Sequence, residues 1–121
     1  EAEVIRHHPE SRLTEVRTSG GQTLWVSLLD RSPGARLSLA LRAADILIAT
    51  EAPKHLSARN ALQATIVALE TVGDAVLITA QAGAPFLVEV TQGASDSLGL
   101  APGLEVFLVI KSSSILVLEE L

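Results

Sequence analysis

The 121-residue chain has no cysteine, which excludes disulfides and thiolate metal sites. Only three aromatic side chains occur, Trp25, Phe86 and Phe107, so a core has to be assembled from Val, Leu, Ile and Ala. Branched aliphatics of that kind fill the narrow interior of a small barrel. No apolar run approaches the roughly 18 residues that span a bilayer, and no charged-then-apolar signal opens the chain. Direct membrane insertion is therefore not expected. Positive charge is scarce as well. Nine Lys and Arg stand against fourteen Asp and Glu, for a net charge of −5, which argues against a nucleic-acid or anionic-membrane surface. No G-x-x-x-x-G-K-[ST] segment is present, so the chain is not expected to hydrolyse nucleotide or to be an enzyme. Its first residue is Glu rather than Met, which reads as an excised fragment or a processed product.

What is abundant is aliphatic: 48% of residues are hydrophobic. A domain this small has too much surface for its volume to hide them all, which predicts an apolar interface and an oligomer. The hydrophobic residues mostly alternate with polar ones, as in half-buried strands. Strands are expected over 1–6, 13–18, 23–28, 36–42 and 46–49, then over 64–69, 75–80, 86–91, 105–110 and 115–118. Ser19-Gly20-Gly21-Gln22 supplies a hairpin turn. Ser95-Asp96-Ser97-Leu98-Gly99 reads as one helical turn, with Ser95 as its cap and Gly99 as its stop. No long amphipathic helix is predicted.

The chain repeats itself. Pro33-Gly34-Ala35-Arg36-Leu37 lies over Pro102-Gly103-Leu104-Glu105-Val106 at an offset of 69 residues, and the register continues until Ile46-Leu47-Ile48 falls on Ile115-Leu116-Val117. At the front, Ala2-Glu3-Val4-Ile5 matches Ala64-Thr65-Ile66-Val67 at an offset of 62. The difference fits a helical turn present only in the second copy. The expected fold is all-β: two OB-like units of five strands, at 1–52 and 57–121, joined by the Pro-containing linker 53–56.

The two copies differ in their polar chemistry. Unit two opens on Ser57-Ala58-Arg59-Asn60 and carries Lys111-Ser112-Ser113-Ser114 near its end, where unit one has Arg42-Ala43-Ala44-Asp45. Arg59 and Lys111, taken singly, are ordinary solvated side chains. Together with the hydroxyls they form an array of hydrogen-bond donors suited to an oxyanion. In unit one, Arg42 has no hydroxyl neighbours, and a solvated surface is expected.

Ser57-Ala58-Arg59-Asn60 opening a strand, then Leu98-Gly99-Leu100-x-Pro102-Gly103, then Ile110-Lys111-Ser112, resembles the Mop domain across residues 57–121. Mop domains are small molybdate-binding barrels related to the TOBE modules of ABC transporters. Unit one resembles the TOBE-like segment that precedes a Mop domain in molybdate-transporter ATPases. The resemblance implies a regulatory region cut from such an ATPase. It would be a homodimer at the cytoplasmic face of the membrane, with a nucleotide-binding domain and a membrane subunit as partners in the intact protein. Its ligand would be molybdate or tungstate, with no organic cofactor and no coordinated metal cation. The ligand would sit at interfaces, where it shifts the ATPase pair toward a state that cannot transport. The residues the resemblance assigns are Ser57, Ala58 through its N–H, Arg59, Thr91, Lys111 and Ser112, with Asn60 fixing the loop and Ser113 in the same turn. Relatives place a serine three residues after the equivalent of Thr91. Here that position is Ala94, and neighbouring Ser95 is the candidate substitute. Gln63-Ala64 also replaces the usual x-Gly pair.

A tetrahedral oxyanion dianion offers only acceptors, so a selective pocket is built from ammonium, guanidinium, hydroxyl and backbone N–H donors. Two other segments have a plainer reading. Ser19-Gly20-Gly21-Gln22 looks like the ABC signature motif but is flanked by strands on both sides. His7-His8-Pro9-Glu10 offers an incomplete metal-ligand set and reads as a solvated loop. Alternatives to the sensor are a freestanding molybdate storage protein, distinguished by a larger assembly, and a purely structural dimerisation module. An OB-type nucleic-acid binder would need aromatic platforms in a basic groove, and the chain has neither.

Overall fold

The alternating segments form ten strands in the computed structural model, which describes residues 1–121. Unit one contributes β1 (Ala2–His8), β2 (Leu13–Thr18), β3 (Thr23–Ser27), β4 (Arg36–Ala40) and β5 (Leu47–Ala49). Unit two contributes β6 (Asn60–Val72), β7 (Ala75–Gln81), β8 (Pro85–Thr91), β9 (Glu105–Ile110) and β10 (Leu116–Glu120). One helix, α1 (Gln92–Leu98), lies between β8 and β9, and 3-10 turns at Ala43–Asp45 and Ser112–Ser114 precede β5 and β10. Two five-stranded sheets result, as the repeat predicts.

The copies share local irregularities. A bulge leaves Ile5 unpaired between Val4 and Arg6 of β1, and another leaves Val67 unpaired between Ile66 and Ala68 of β6. Such an extra residue bends its strand. At each bend the same contacts recur. Val4 N–H donates to Ala35 O at 2.8 Å and Val4 O accepts from Gly34 N at 2.7 Å, while Ile66 N–H donates to Leu104 O at 2.9 Å and Ile66 O accepts from Gly103 N at 2.7 Å. The hairpin turns of the two units meet back to back. A Cβ on Gly20 would lie 2.7 Å from Gly83 O, so neither turn has room for a side chain at the contact.

The sheets do not follow the sequence units. Their strand orders are β10-β4-β1-β2-β3 and β5-β9-β6-β7-β8, so each takes four strands from one unit and its fifth from the other. The exchange is symmetric: Leu47 pairs with Val109 in one sheet, and Leu116 with Ala40 in the other. The 3-10 turns cause it by redirecting the chain after β4 and β9. The residue that leaves each turn, Ile46 or Ile115, is extended and buried, which anchors the departing strand in the common core.

That core is aliphatic and continuous between the sheets. Its fully buried members include Val4, Val16 and Leu37 from unit one and Ile66, Ile78 and Leu108 from unit two. Trp25, Phe86 and Phe107 are all only half-buried. Leu47 and Leu118 keep 64% and 62% of their surface exposed, in line with the apolar surplus read from composition. No helix is long and apolar enough to cross a membrane.

Several local expectations need correction. β1 runs on through His7 and His8, because both pair with β2, opposite Thr14 and Leu13. β6 starts four residues earlier than expected, at Asn60, since its pairing with β9 begins there. The cap of α1 is Thr91, not Ser95: the Ala94 N–H donates to Thr91 Oγ1 at 3.1 Å. Ser95 is buried inside the helix, and Gly99 ends it as expected, in the left-handed region at φ 63°.

Candidate functional site

Antiparallel pairing of β6 with β9 sets the start of one beside the end of the other, with Asn60 opposite Ile110. Ser57-Ala58-Arg59 thereby emerges next to Lys111, which opens the second 3-10 turn. The two cationic segments, about fifty residues apart in sequence, lie side by side.

β3 of unit one closes the arrangement. Asn60 Oδ1 accepts from Trp25 N at 2.7 Å, and its Nδ2 donates to Trp25 O at 2.9 Å and to Ile110 O at 3.2 Å. The buried carboxamide thus acts as a one-residue strand, pairing the main chain of β3 while holding β6 to β9. Ser112 Oγ donates to the same Trp25 carbonyl at 2.5 Å. Trp25 is a member of the site that sequence reasoning missed. It contributes main-chain atoms only, so no side-chain signal marks it.

Arg59, Lys111, Ser57 and Ser113 are exposed, and Ala58 is half-buried. Arg59 curls over its own loop, with Nε donating to Ser57 O at 3.1 Å and Nη2 to Leu56 O at 2.6 Å. Neither Arg59 nor Lys111 forms an ion pair with a carboxylate, so both charges are available to an anion. A cleft of about 370 Å³ runs along this loop, bordered by His55, Leu56, Ala58, Arg59 and Asn60.

Thr91 lies elsewhere. With Ala94 and Leu98 of α1 it lines a separate, larger cleft of about 610 Å³, closed from the other side by Ala44, Ile46 and Leu47 of unit one. Asp74 and Glu89 also border that cleft, and their carboxylates would repel a dianion. Ala94 lines it and Ser95 does not. Ser95 is buried within α1. Within one chain, then, Ser57 to Asn60 and Lys111 to Ser113 come together, while Thr91 and Ser95 stand apart from them beside the unit-one turn.

The remaining motifs resolve simply. Ser19 to Gln22 is the turn joining β2 to β3. His7 binds Thr14 Oγ1 at 2.8 Å through Nδ1 and Arg31 O at 2.5 Å through Nε2. His8 Nε2 lies 3.4 Å from Glu15, and its ring stands edge-on to Trp25 with centroids 5.0 Å apart. No group of three or more His, Cys, Asp or Glu is arranged to hold a metal ion.

The family model for the TOBE domain matches residues 56–117. The molybdenum import ATP-binding protein ModC of Yersinia pseudotuberculosis is 36% identical over 112 residues, covering 92% of this chain and 31% of that protein. Its counterpart in Granulibacter bethesdensis is 35% identical over 127 residues, covering 98% and 34%. The Escherichia coli K12 protein is 33% identical over 113 residues, covering 93% and 32%. The chain therefore spans about a third of the length of these curated relatives, in their C-terminal part. Among solved structures, the cytoplasmic molybdate-binding protein ModG, with molybdate bound, superimposes with a TM-score of 0.82 at 25% identity. That match covers 96% of this chain and 91% of ModG.

Proposed function

The chain belongs to the TOBE domain family, and from that membership we propose that it is the molybdate- or tungstate-binding regulatory region of an ABC importer ATPase. The observation that carries this reading is the junction of β6 and β9. There, two cations outside any ion pair follow or precede paired strand residues, Arg59 before Asn60 and Lys111 after Ile110, and no carboxylate borders the cleft that Ala58, Arg59 and Asn60 line. Ser57, Ser112 and Ser113 add hydroxyls, and Ala58 lets the backbone N–H approach closely. Charge-assisted hydrogen bonds contribute about 1.5–3 kcal/mol each, so several together offset the dehydration of a dianion. Asn60 has all its polar atoms committed to Trp25 and Ile110, and serves to hold the loop.

Thr91 joins this pocket only from a second copy, because its own cleft faces the unit-one turn. The functional unit is accordingly a homodimer with ligand at its interfaces, and Leu47 and Leu118 supply exposed apolar surface for the contact. A ligand held between copies binds one arrangement better than another, which is what control of an attached ATPase pair requires. Cytoplasmic oxyanion would then inhibit its own import. The chain has no catalytic role in this scheme. Nucleotide hydrolysis and passage across the membrane belong to other parts of the transporter.

The test is calorimetric titration with molybdate, tungstate, sulfate and phosphate. Saturable heat with the first two and none with the last two is expected. Absence of heat with molybdate and tungstate at millimolar concentration overturns the reading. One observation favours a freestanding molybdate store instead: the chain accounts for 91% of ModG, a cytoplasmic molybdate-binding protein. Sedimentation separates the two, since a store forms an assembly larger than a dimer.

A further inference from the structure

We infer that the Ser112 hydroxyl is a two-position switch: it bonds the Trp25 carbonyl in the free protein and transfers to the anion on binding, so that site occupancy is read out on β3 of the other unit. The inference rests on the anion-binding reading above and assigns Ser112 a second acceptor within the chain. A serine hydroxyl has one proton and donates to one acceptor at a time. Here that acceptor is Trp25 O, at 2.5 Å, and Ser112 is 9% exposed. Ser112 is therefore engaged before a ligand arrives, although it directly follows Lys111 in the turn.

Release is inexpensive because the Trp25 carbonyl has two donors. When Ser112 turns away, Asn60 Nδ2 remains on that oxygen at 2.9 Å, and Asn60 Oδ1 still accepts from Trp25 N at 2.7 Å. A buried carbonyl left with no partner would carry a desolvation penalty. The Asn60 bridge removes that penalty and keeps β3 in place. A rotation between staggered χ1 positions is enough to re-aim the hydroxyl. The transfer leaves the Trp25 carbonyl with one donor instead of two while β3 stays in place. Asn60 is thus a positioning residue that makes the exchange possible, and Ser112 is the group that moves.

The chain contains its own control for removing the hydroxyl. Ala43 occupies the Ser112 position in the unit-one turn, and that turn forms the same 3-10 geometry. Ser112→Ala is therefore expected to fold. With one tryptophan, carbonyl-labelled tryptophan gives a single ¹³C′ resonance.

The experiment follows that resonance through a molybdate titration of the wild type and of Ser112→Ala, with calorimetry on the same samples. In the wild type the resonance should move upfield on saturation as a hydrogen bond is lost. In Ser112→Ala it should already sit near the ligand-bound position and stay there when molybdate is added, with affinity lowered about tenfold. Molybdate heat with an unmoved Trp25 carbonyl in the wild type overturns the switch and leaves the functional reading standing. A carbonyl that moves equally in both proteins also overturns it. Absence of molybdate heat in the wild type overturns the functional reading, and the switch with it.

Discussion

In unit two the turn after β9 carries Lys111, Ser112, Ser113 and Ser114 and packs against β3; in unit one the turn after β4 carries Arg42, Ala43, Ala44 and Asp45 and packs against β8. The backbones match. Asp45 N donates to Arg42 O at 2.9 Å, as Ser114 N does to Lys111 O, also at 2.9 Å. Each turn plants an isoleucine in the core and sends a strand into the opposite sheet. The architecture therefore demands the turn, and either side-chain set supports it. The ligand is another matter. Unit two surrounds its turn with donors, whereas the unit-one turn borders a cleft that also holds Asp74 and Glu89. The scaffold is shared and the donors are local.

The largest effect is expected from removing what only unit two has. Arg59→Ala combined with Lys111→Ala deletes both free cations and up to about 3–6 kcal/mol of charge-assisted bonding. Molybdate affinity should fall by more than about a hundredfold, measured by calorimetry. Both side chains are exposed and neither forms an ion pair within the fold, so the dimer should persist in sedimentation. Loss of the dimer in the ligand-free double mutant would favour a structural dimerisation module instead. Arg42→Ala, at the unit-one counterpart of Lys111, is the matched control and should leave affinity unchanged.

How much of this could be read from the chain depends on whether the cause was local. The repeat, the strands and the turns are written in side-chain alternation and in Gly and Pro placement, so Leu13–Thr18 and Glu105–Ile110 fall where the sequence puts them. The adjacency of Arg59 and Lys111 was legible as well, through the family spacing of the motif. The exchange of β5 and β10 was not. Both are short aliphatic strands that suit either sheet equally, and the choice is made by a turn whose direction leaves no mark on periodicity. The cap of α1 was misread for a related reason: Thr91 and Ser95 are both chemically able to cap, and only the end of β8 decides between them. Trp25 was invisible because its contribution is a peptide group.

A middle-sized effect is expected at Asn60, where unit two ties itself to unit one. Asn60→Ala removes three hydrogen bonds and leaves the Ile110 carbonyl and the Trp25 amide without these partners. Stability should fall by about 2–4 kcal/mol, read as a lower denaturation midpoint. Asn60→Asp keeps the acceptor for Trp25 N but sets an acceptor-only carboxylate oxygen against the Trp25 and Ile110 carbonyls in a buried site, and should lower the midpoint at least as much as Asn60→Ala. If Asn60→Ala leaves the midpoint unchanged, the bridge is not what joins β3 to the pocket.

The smallest effect is expected from making unit one more like unit two. Ala43→Ser places a hydroxyl at the position of Ser112, at a half-buried residue of an otherwise exposed turn. It should change stability by no more than about 0.5 kcal/mol, the range of ordinary surface substitutions, and it should create no second molybdate site in calorimetry. The reason lies in what surrounds it: Asp45 remains in the same turn, and Asp74 and Glu89 border the neighbouring cleft. A hydroxyl among carboxylates has acceptors already and gives a dianion no net attraction. A gain of molybdate stoichiometry in this variant would mean that the turn alone selects the ligand, and that the cations of unit two are dispensable.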